Sequence, residues 1–177
     1  FRADTFALVE QGFFFFSPTP DRIYSRPWHK RFPAYLSWVR LRRRTDGTTF
    51  YVYNLHTDAS SARNRMKTAR LVTQRLQTRD APEDPVIVGG DFNAPALFPS
   101  FRIYRRAGLS RSLQRRSTYH FYSGINVLPA IDHIITTRGA RVIQAIVVRN
   151  SYNGVWPSDH YPVLAIVRLE KPHVGQE

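Results

Sequence analysis

Residues 86–95 read V-I-V-G-G-D-F-N-A-P, and the fold follows from how this stretch is read. Val86, Ile87 and Val88 form an unbroken β-branched run, the pattern of a strand covered on both faces. Gly89 and Gly90 then permit backbone angles and close approaches that a side chain forbids. Asp91 and Asn93 follow two residues apart, so an extended chain points both the same way. A carboxylate and an amide at a strand end suit a hard cation, or a water and a phosphate oxygen. The competing reading is a Gly-Asp turn in which Asp91 and Asn93 bond their own backbone.

Immediately upstream, Ala62, Met66, Ala69, Val72 and Leu76 recur at helical spacing, with Ser60 or Ser61 available as N-cap. A helix over 61–78 is expected, its arginines and lysine in solvent; Arg65 alone has a second option, turning inward toward His56 or Asp58. Before it, strands are expected at 34–41 and 49–55, paired antiparallel through Thr45-Asp46-Gly47-Thr48. The second ends in Asn54-Leu55-His56-Thr57-Asp58, whose alternation sets Asn54, His56 and Asp58 on one side. His56 is a candidate acid, base or phosphate ligand, or a structural hydrogen-bonder, and Asp58 is also suited to start the next turn. Strand, helix and strand in succession give an α/β arrangement whose reactive edge lies where the strands end.

Working outward again, the run Phe13 to Phe16 reads as a strand buried on both sides, and the proline-flanked stretch 17–26 as an extended loop. Residues 100–106 with Gly108 predict a short helix closed by a C′ glycine. Extended character returns at Thr118-Tyr119-His120-Phe121, and further strands are expected over 131–136, 140–149 and 161–169. Two of them bring carboxylates beside histidines. Asp132 lies in the apolar strand I-D-H-I-I and needs a partner, while Asp159 and His160 precede the last strand. Asp132 paired with His160 would hold the imidazole in one tautomer, leaving its other nitrogen for phosphate or a proton. A strand cap at Asp159 and a satisfied core carboxylate at Asp132 are the structural alternatives.

With 177 residues, of which 42% are hydrophobic, the chain supports one sizeable core, expected over residues 1–169 with a polar tail at 170–177. The absence of cysteine excludes disulfides, zinc-thiolate sites and a cysteine nucleophile, and leaves the redox compartment open. No run of apolar residues has the length of a membrane span. A net charge of +13 favours a polyanionic partner such as nucleic acid. Three of the 26 basic residues are lysine (Lys30, Lys67 and Lys171), leaving 23 arginines. Their clusters at 40–44, 63–65, 102–106 and 111–116 suit phosphate-tracking patches or solvated faces.

Taken together, Ser17-Pro18-Thr19-Pro20-Asp21, Trp38, Asn54-Leu55-His56-Thr57-Asp58, Arg65, Gly90-Asp91-Phe92-Asn93, Thr118-Tyr119-His120, Ile131-Asp132-His133-Ile134 and Ser158-Asp159-His160 resemble the endonuclease/exonuclease/phosphatase superfamily, whose fold is like that of pancreatic-type deoxyribonuclease. The resemblance covers residues 1–169 and corresponds to the later part of the family's domain. It implies an α/β (α+β) fold of two packed, mainly antiparallel sheets flanked by helices, a four-layer sandwich lacking the family's first strands. It also implies Mg²⁺- or Mn²⁺-dependent cleavage of a phosphate ester, nucleic acid among the candidate substrates, by an activated water.

By position, His56 looks like the histidine that contacts the scissile phosphate or protonates the leaving group. Asp91 looks like the carboxylate that orients water, Asn93 like an amide holding a phosphate oxygen, and Asp159 like a metal-proximal carboxylate. The metal set is then Asp91, Asn93 and Asp159. His160 looks like the second phosphate-contacting histidine, oriented by Asp132. The family's metal-binding glutamate and an asparagine come from strands before the matching region, and Glu10 does not correspond. Ala34 stands where the family often has an arginine, so that phosphate clamp is either lost or supplied by Arg31. The alternative from another class is a noncatalytic polyanion- or nucleic-acid-binding domain that kept the fold without that glutamate. Oligomeric state and compartment have no signature in this sequence.

Overall fold

A computed structural model of the chain describes residues 1–26, 28, 33–110 and 113–170. Arg31 and residues 171–177 of the expected tail lie outside the described residues. The elements run β1 (Phe6–Phe15), β2 (Tyr35–Arg43), β3 (Thr49–His56), α1 (Ala62–Gln77), β4 (Val86–Asp91), α2 (Pro99–Arg106), β5 (Asp132–Thr136), β6 (Ala140–Val147) and β7 (Val163–Leu169). One sheet has the order β1-β2-β3-β4-β5, and β6 pairs with β7 in a second. Among the described residues only β3 and β4 pair in parallel, because the crossover through α1 returns the chain to the same end; the other pairs are antiparallel.

Local chemistry explains the element ends. Ser61 caps α1, its hydroxyl accepting the N–H of Asn64 at 3.2 Å. Pro99 opens α2, where its missing N–H costs nothing. Gly108 closes it in the left-handed region at φ +85°. There Leu109 N–H bonds Tyr104 O and Gly108 N–H bonds Arg105 O, both at 3.1 Å, so the last carbonyls are satisfied. The hairpin between β2 and β3 is longer than the Asp-Gly pair suggests: residues 44–48 form the loop, and Arg43 grips Asp46 through two hydrogen bonds of 2.9 and 2.7 Å.

Helices α1 and α2 cover one face of the large sheet. Ala69, Val72, Leu76, Phe101 and Tyr104 meet Leu36, Tyr53, Val86, Val88 and Ile135 in one buried cluster. On the other face Val52, Ile87 and Ile134 line a space shared with Val163, Ala165 and Val167 of β7. The described residues therefore supply helix, sheet and sheet in that order. Val86 and Val88 are wholly buried under the helices, as the unbroken apolar run requires.

Two packing expectations are corrected. The phenylalanine run is not buried on both sides: Phe14, Phe15 and Phe16 are core, but Phe13 is 54% exposed. Alternation turns Phe13 to the face of β1 away from the helices, and β7 reaches only the far strands. The buried face of α1 is also rotated from the apolar pattern. Ala62 is exposed, whereas Arg65 and Thr68 are buried. Arg65 turns inward because its Nη1 donates to the carbonyls of Asp58 and Ala59, at 2.9 and 3.1 Å, satisfying the bend that leads into the helix.

Candidate active site

The topology brings the candidate residues to one edge of the large sheet. β3 and β4 run parallel and end there, and antiparallel β5 begins there, so His56, Asp91 and Asp132 occupy one row across three strands. The backbone of the row is tied down by Thr57 N–H to Asp91 O and Phe92 N–H to Ile131 O, both 2.9 Å. Asp91 Oδ2 lies 3.3 Å from His56 Nε2 and 4.0 Å from His160 Nε2. A carboxylate thus sits between two imidazoles.

Gly90 makes this arrangement possible. It adopts φ +133°, and a Cβ built there would stand 2.0 Å from the carbonyl oxygen of Leu55. Past it, Asp91 Oδ1 accepts the N–H of Asn93 at 2.7 Å, and Asn93 takes φ +46°, a region asparagine tolerates. The turn reading therefore holds for Oδ1 of Asp91, while Oδ2 is the oxygen that faces the two histidines. Asn93 Nδ2 donates to Thr57 O at 2.9 Å and to Asp91 Oδ2 at 3.1 Å. Burial raises the pKa of Asp91 and the Asp132 charge adds to this, against the Asn93 N–H and the two histidines.

His160 Nδ1 and Asp132 Oδ2 are 2.8 Å apart. With the carboxylate ionised the ring nitrogen donates, so Nε2 is the nitrogen left facing Asp91. A residue absent from the expected site fixes this pair. Thr118 is fully buried, and its hydroxyl accepts the N–H groups of Ile131 and Asp132 at 3.0 and 3.1 Å, setting the start of β5. Its carbonyl takes the N–H of Tyr161 at 2.7 Å, holding the His160 segment alongside. Only the position of Thr118 beside Tyr119 and His120 in the sequence hinted at this.

His56 is largely exposed and opens onto a cleft of about 750 Å³ lined also by Trp28, Asn54, Asp58, Asn64 and Asp91. Asp58 does begin the next turn: Oδ1 accepts the N–H groups of Ser60 and Ser61 at 2.8 and 3.0 Å, and Oδ2 accepts from Asn64 at 2.8 Å. Burial pushes its pKa up, but the hydrogen bonds from Asn64 and Ser60 outweigh this, so it lies below the ordinary carboxylate value.

Among the described residues, Asp91, Asp132 and His160 form a group whose ligand atoms lie within 4.8 Å of one another. Carboxylate oxygens with one imidazole and no thiolate are a donor set for a hard or borderline divalent cation. Asp159 is not in that group. Its carbonyl accepts the N–H of His120 at 2.8 Å, and its carboxylate lies 3.5 Å from the Ser158 hydroxyl. No helix of the described residues is long and apolar enough to cross a membrane.

The sequence matches the model of the Endonuclease/Exonuclease/phosphatase family over residues 10–160. Among solved structures, an endonuclease/exonuclease/phosphatase family protein of Bacteroides thetaiotaomicron is 27% identical, with a TM-score of 0.82 over 93% of this chain and 66% of that one. The mannosyl-6-phosphatase of the same organism is 26% identical, with a TM-score of 0.84 over 96% of this chain and 69% of that one. D. rerio TDP2 complexed with single strand DNA product shares the fold at 17% identity, with a TM-score of 0.68 over 94% of this chain and 69% of that one. No curated protein matches the sequence.

Proposed function

Because the chain belongs to the endonuclease/exonuclease/phosphatase family, whose chemistry is phosphoester hydrolysis, we propose that it hydrolyses phosphate esters by an activated water with a divalent cation, Mg²⁺ or Mn²⁺. The observation that carries this reading is the position of Asp91 Oδ2 between His56 and His160, 3.3 and 4.0 Å away. Water held by Asp91 is drawn toward a phosphorus whose oxygens meet two imidazoles. Phosphoryl transfer asks for such positioning and charge neutralisation.

In this reading Asp91 orients and deprotonates water. His56, the most exposed of the group, meets the scissile phosphate or protonates the leaving oxygen. His160 donates from Nε2 to a phosphate oxygen, its ring held by Asp132. Both hydrogens of Asn93 Nδ2 point to protein acceptors. The amide oxygen is therefore what Asn93 offers, and it suits a cation or a water hydrogen better than a phosphate oxygen. Asp91 and Asn93 would hold the cation; the family resemblance assigns Asp159 to it as well, but its carboxylate is not among the grouped ligand atoms. When bound, the cation would polarise the phosphoryl oxygens and neutralise developing charge.

The test is hydrolysis of bis(4-nitrophenyl) phosphate by the full gene product with Mg²⁺ or Mn²⁺, alone and in excess chelator. Turnover that stops with chelator and falls by about 10²-fold or more in Asp91→Asn supports the reading. Turnover undiminished by chelator overturns the metal assignment. Absent turnover, with nucleic-acid affinity intact in Asp91→Ala, leaves the noncatalytic polyanion-binding domain instead.

A further inference from the structure

Beside His160 the chain builds a wall of rings that the chemistry above does not use. The Tyr119 ring lies 4.8 Å from His160, tilted 51°, and the Phe121 ring lies 4.3 Å from Tyr119, tilted 53°. Three backbone relations pin this segment along the catalytic one: Tyr119 bridges His160, His120 N–H bonds Asp159 O, and Tyr161 N–H bonds Thr118 O. Beneath the wall, buried His120 stacks on Tyr161 at 4.0 Å and contacts Trp156 at 4.7 Å.

The next turn then takes an unusual shape. Phe121 and Tyr122 have φ of +54° and +58°, consecutive left-handed residues with bulky side chains, although that region is poorly suited to them. They are 58% and 61% exposed, so burial does not repay the conformation. The expected extended run through Phe121 therefore stops at His120, and the turn leaves two aromatic side chains in solvent, Phe121 against the Tyr119 ring that contacts His160.

We propose that Tyr119 and Phe121, with Tyr122, form a stacking subsite for the organic group of the substrate, and that this group is a flat unsaturated ring, a nucleobase or an aryl group. The inference rests on the phosphoesterase reading, since His160 fixes the phosphate end. A flat ring continues the tilted series from His160 outward through face and edge contacts. Ile125 and Val127, next in sequence, are exposed apolar side chains, so the phenol hydroxyls of Tyr119 and Tyr122 are the polar groups of the wall, and mannose 6-phosphate serves as the saturated-ring control.

Calorimetry with Mg²⁺ present tests this on the wild type, Phe121→Ala, Phe121→Leu and Tyr122→Ala, using methyl phosphate, phenyl phosphate, thymidine 5′-monophosphate and mannose 6-phosphate. The wild type should bind the two flat-ring esters about tenfold more tightly than methyl phosphate. That ratio should collapse toward one in Phe121→Ala and recover little in Phe121→Leu, which restores bulk without a ring. Phenyl phosphate and the nucleotide favoured alike assign any flat ring; the nucleotide favoured alone assigns the base. Equal affinity for all four probes, equal preference for mannose 6-phosphate, no binding at all, or a preference surviving both alanine variants overturns the subsite. Flat-ring preference in binding without turnover of bis(4-nitrophenyl) phosphate overturns the hydrolase reading and leaves the subsite standing.

Discussion

His160 and Asp132, 28 residues apart in sequence, meet through a 2.8 Å contact between Nδ1 and the carboxylate. The bond engages the ring nitrogen other than the one 4.0 Å from Asp91, so in the proposed reading Asp132 acts through the ring it holds. Asp132→Asn keeps an acceptor for the ring N–H and removes the charge. The expected result is a fall in kcat of about 10²-fold with KM changed by less than about threefold. Saturation kinetics checks this; a raised KM with kcat intact would make Asp132 a substrate contact instead.

Adjacent glycines of β4 should respond very differently to the same methyl group. At Gly90 a Cβ would lie 2.0 Å from Leu55 O at φ +133°, whereas at Gly89 its nearest neighbour is Ile134 Cγ1 at 3.7 Å. Gly90→Ala should cost about 3 kcal/mol or more, and Gly89→Ala less than about 1 kcal/mol. Urea unfolding of the two variants measures the contrast.

Asp58 ties the end of β3 to the start of α1, and its pKa lies below the ordinary carboxylate value. A carboxylate depressed in the native state adds stability above its unfolded pKa and loses it as pH falls through the native one. Asp58→Ala should therefore cost about 1 kcal/mol at neutral pH and nothing once wild-type Asp58 is protonated. Chemical denaturation from pH 7 down to about 2 would show the two curves converging.

Exposed Arg63 and Arg70 on α1, Arg102 and Arg106 on α2, and Arg115 and Arg116 beyond give the helical layer a cationic surface. If a nucleic-acid backbone is the partner, affinity should drop by at least about tenfold between 50 and 200 mM salt. A flat response in fluorescence anisotropy would exclude backbone tracking by these arginines.

The order of strands and helices was legible because β-branched runs, the Ser61 cap and Gly108 act locally. So was the row of site residues, since parallel β3 and β4 necessarily end together. Less legible was whatever depends on distant neighbours. Arg65 carries a charge that places it in solvent by any local rule, yet two carbonyls of the preceding bend draw it inward. Phe13 reads as core, and only the reach of β7 decides that it is not. Thr118 has no chemistry of its own to advertise; its role is to receive two N–H groups from residues 13 and 14 positions later. The turn at Phe121 and Tyr122 runs against local preference, and no pattern rule would place two aromatics there.

His56, Asp91 and Asp132 are successive rungs of one ladder, so the distances among the reactive groups are inherited from the strand spacing of about 4.8 Å, which no loop can alter. Phe121 and Tyr122, by contrast, sit in a turn outside that sheet. If the proposed roles are right, the groups that cut and the rings that hold can diverge independently. On that reading, substitutions at Phe121 and Tyr122 would change which ester is held, whereas a one-residue slip of β4 would turn its whole row to the wrong face.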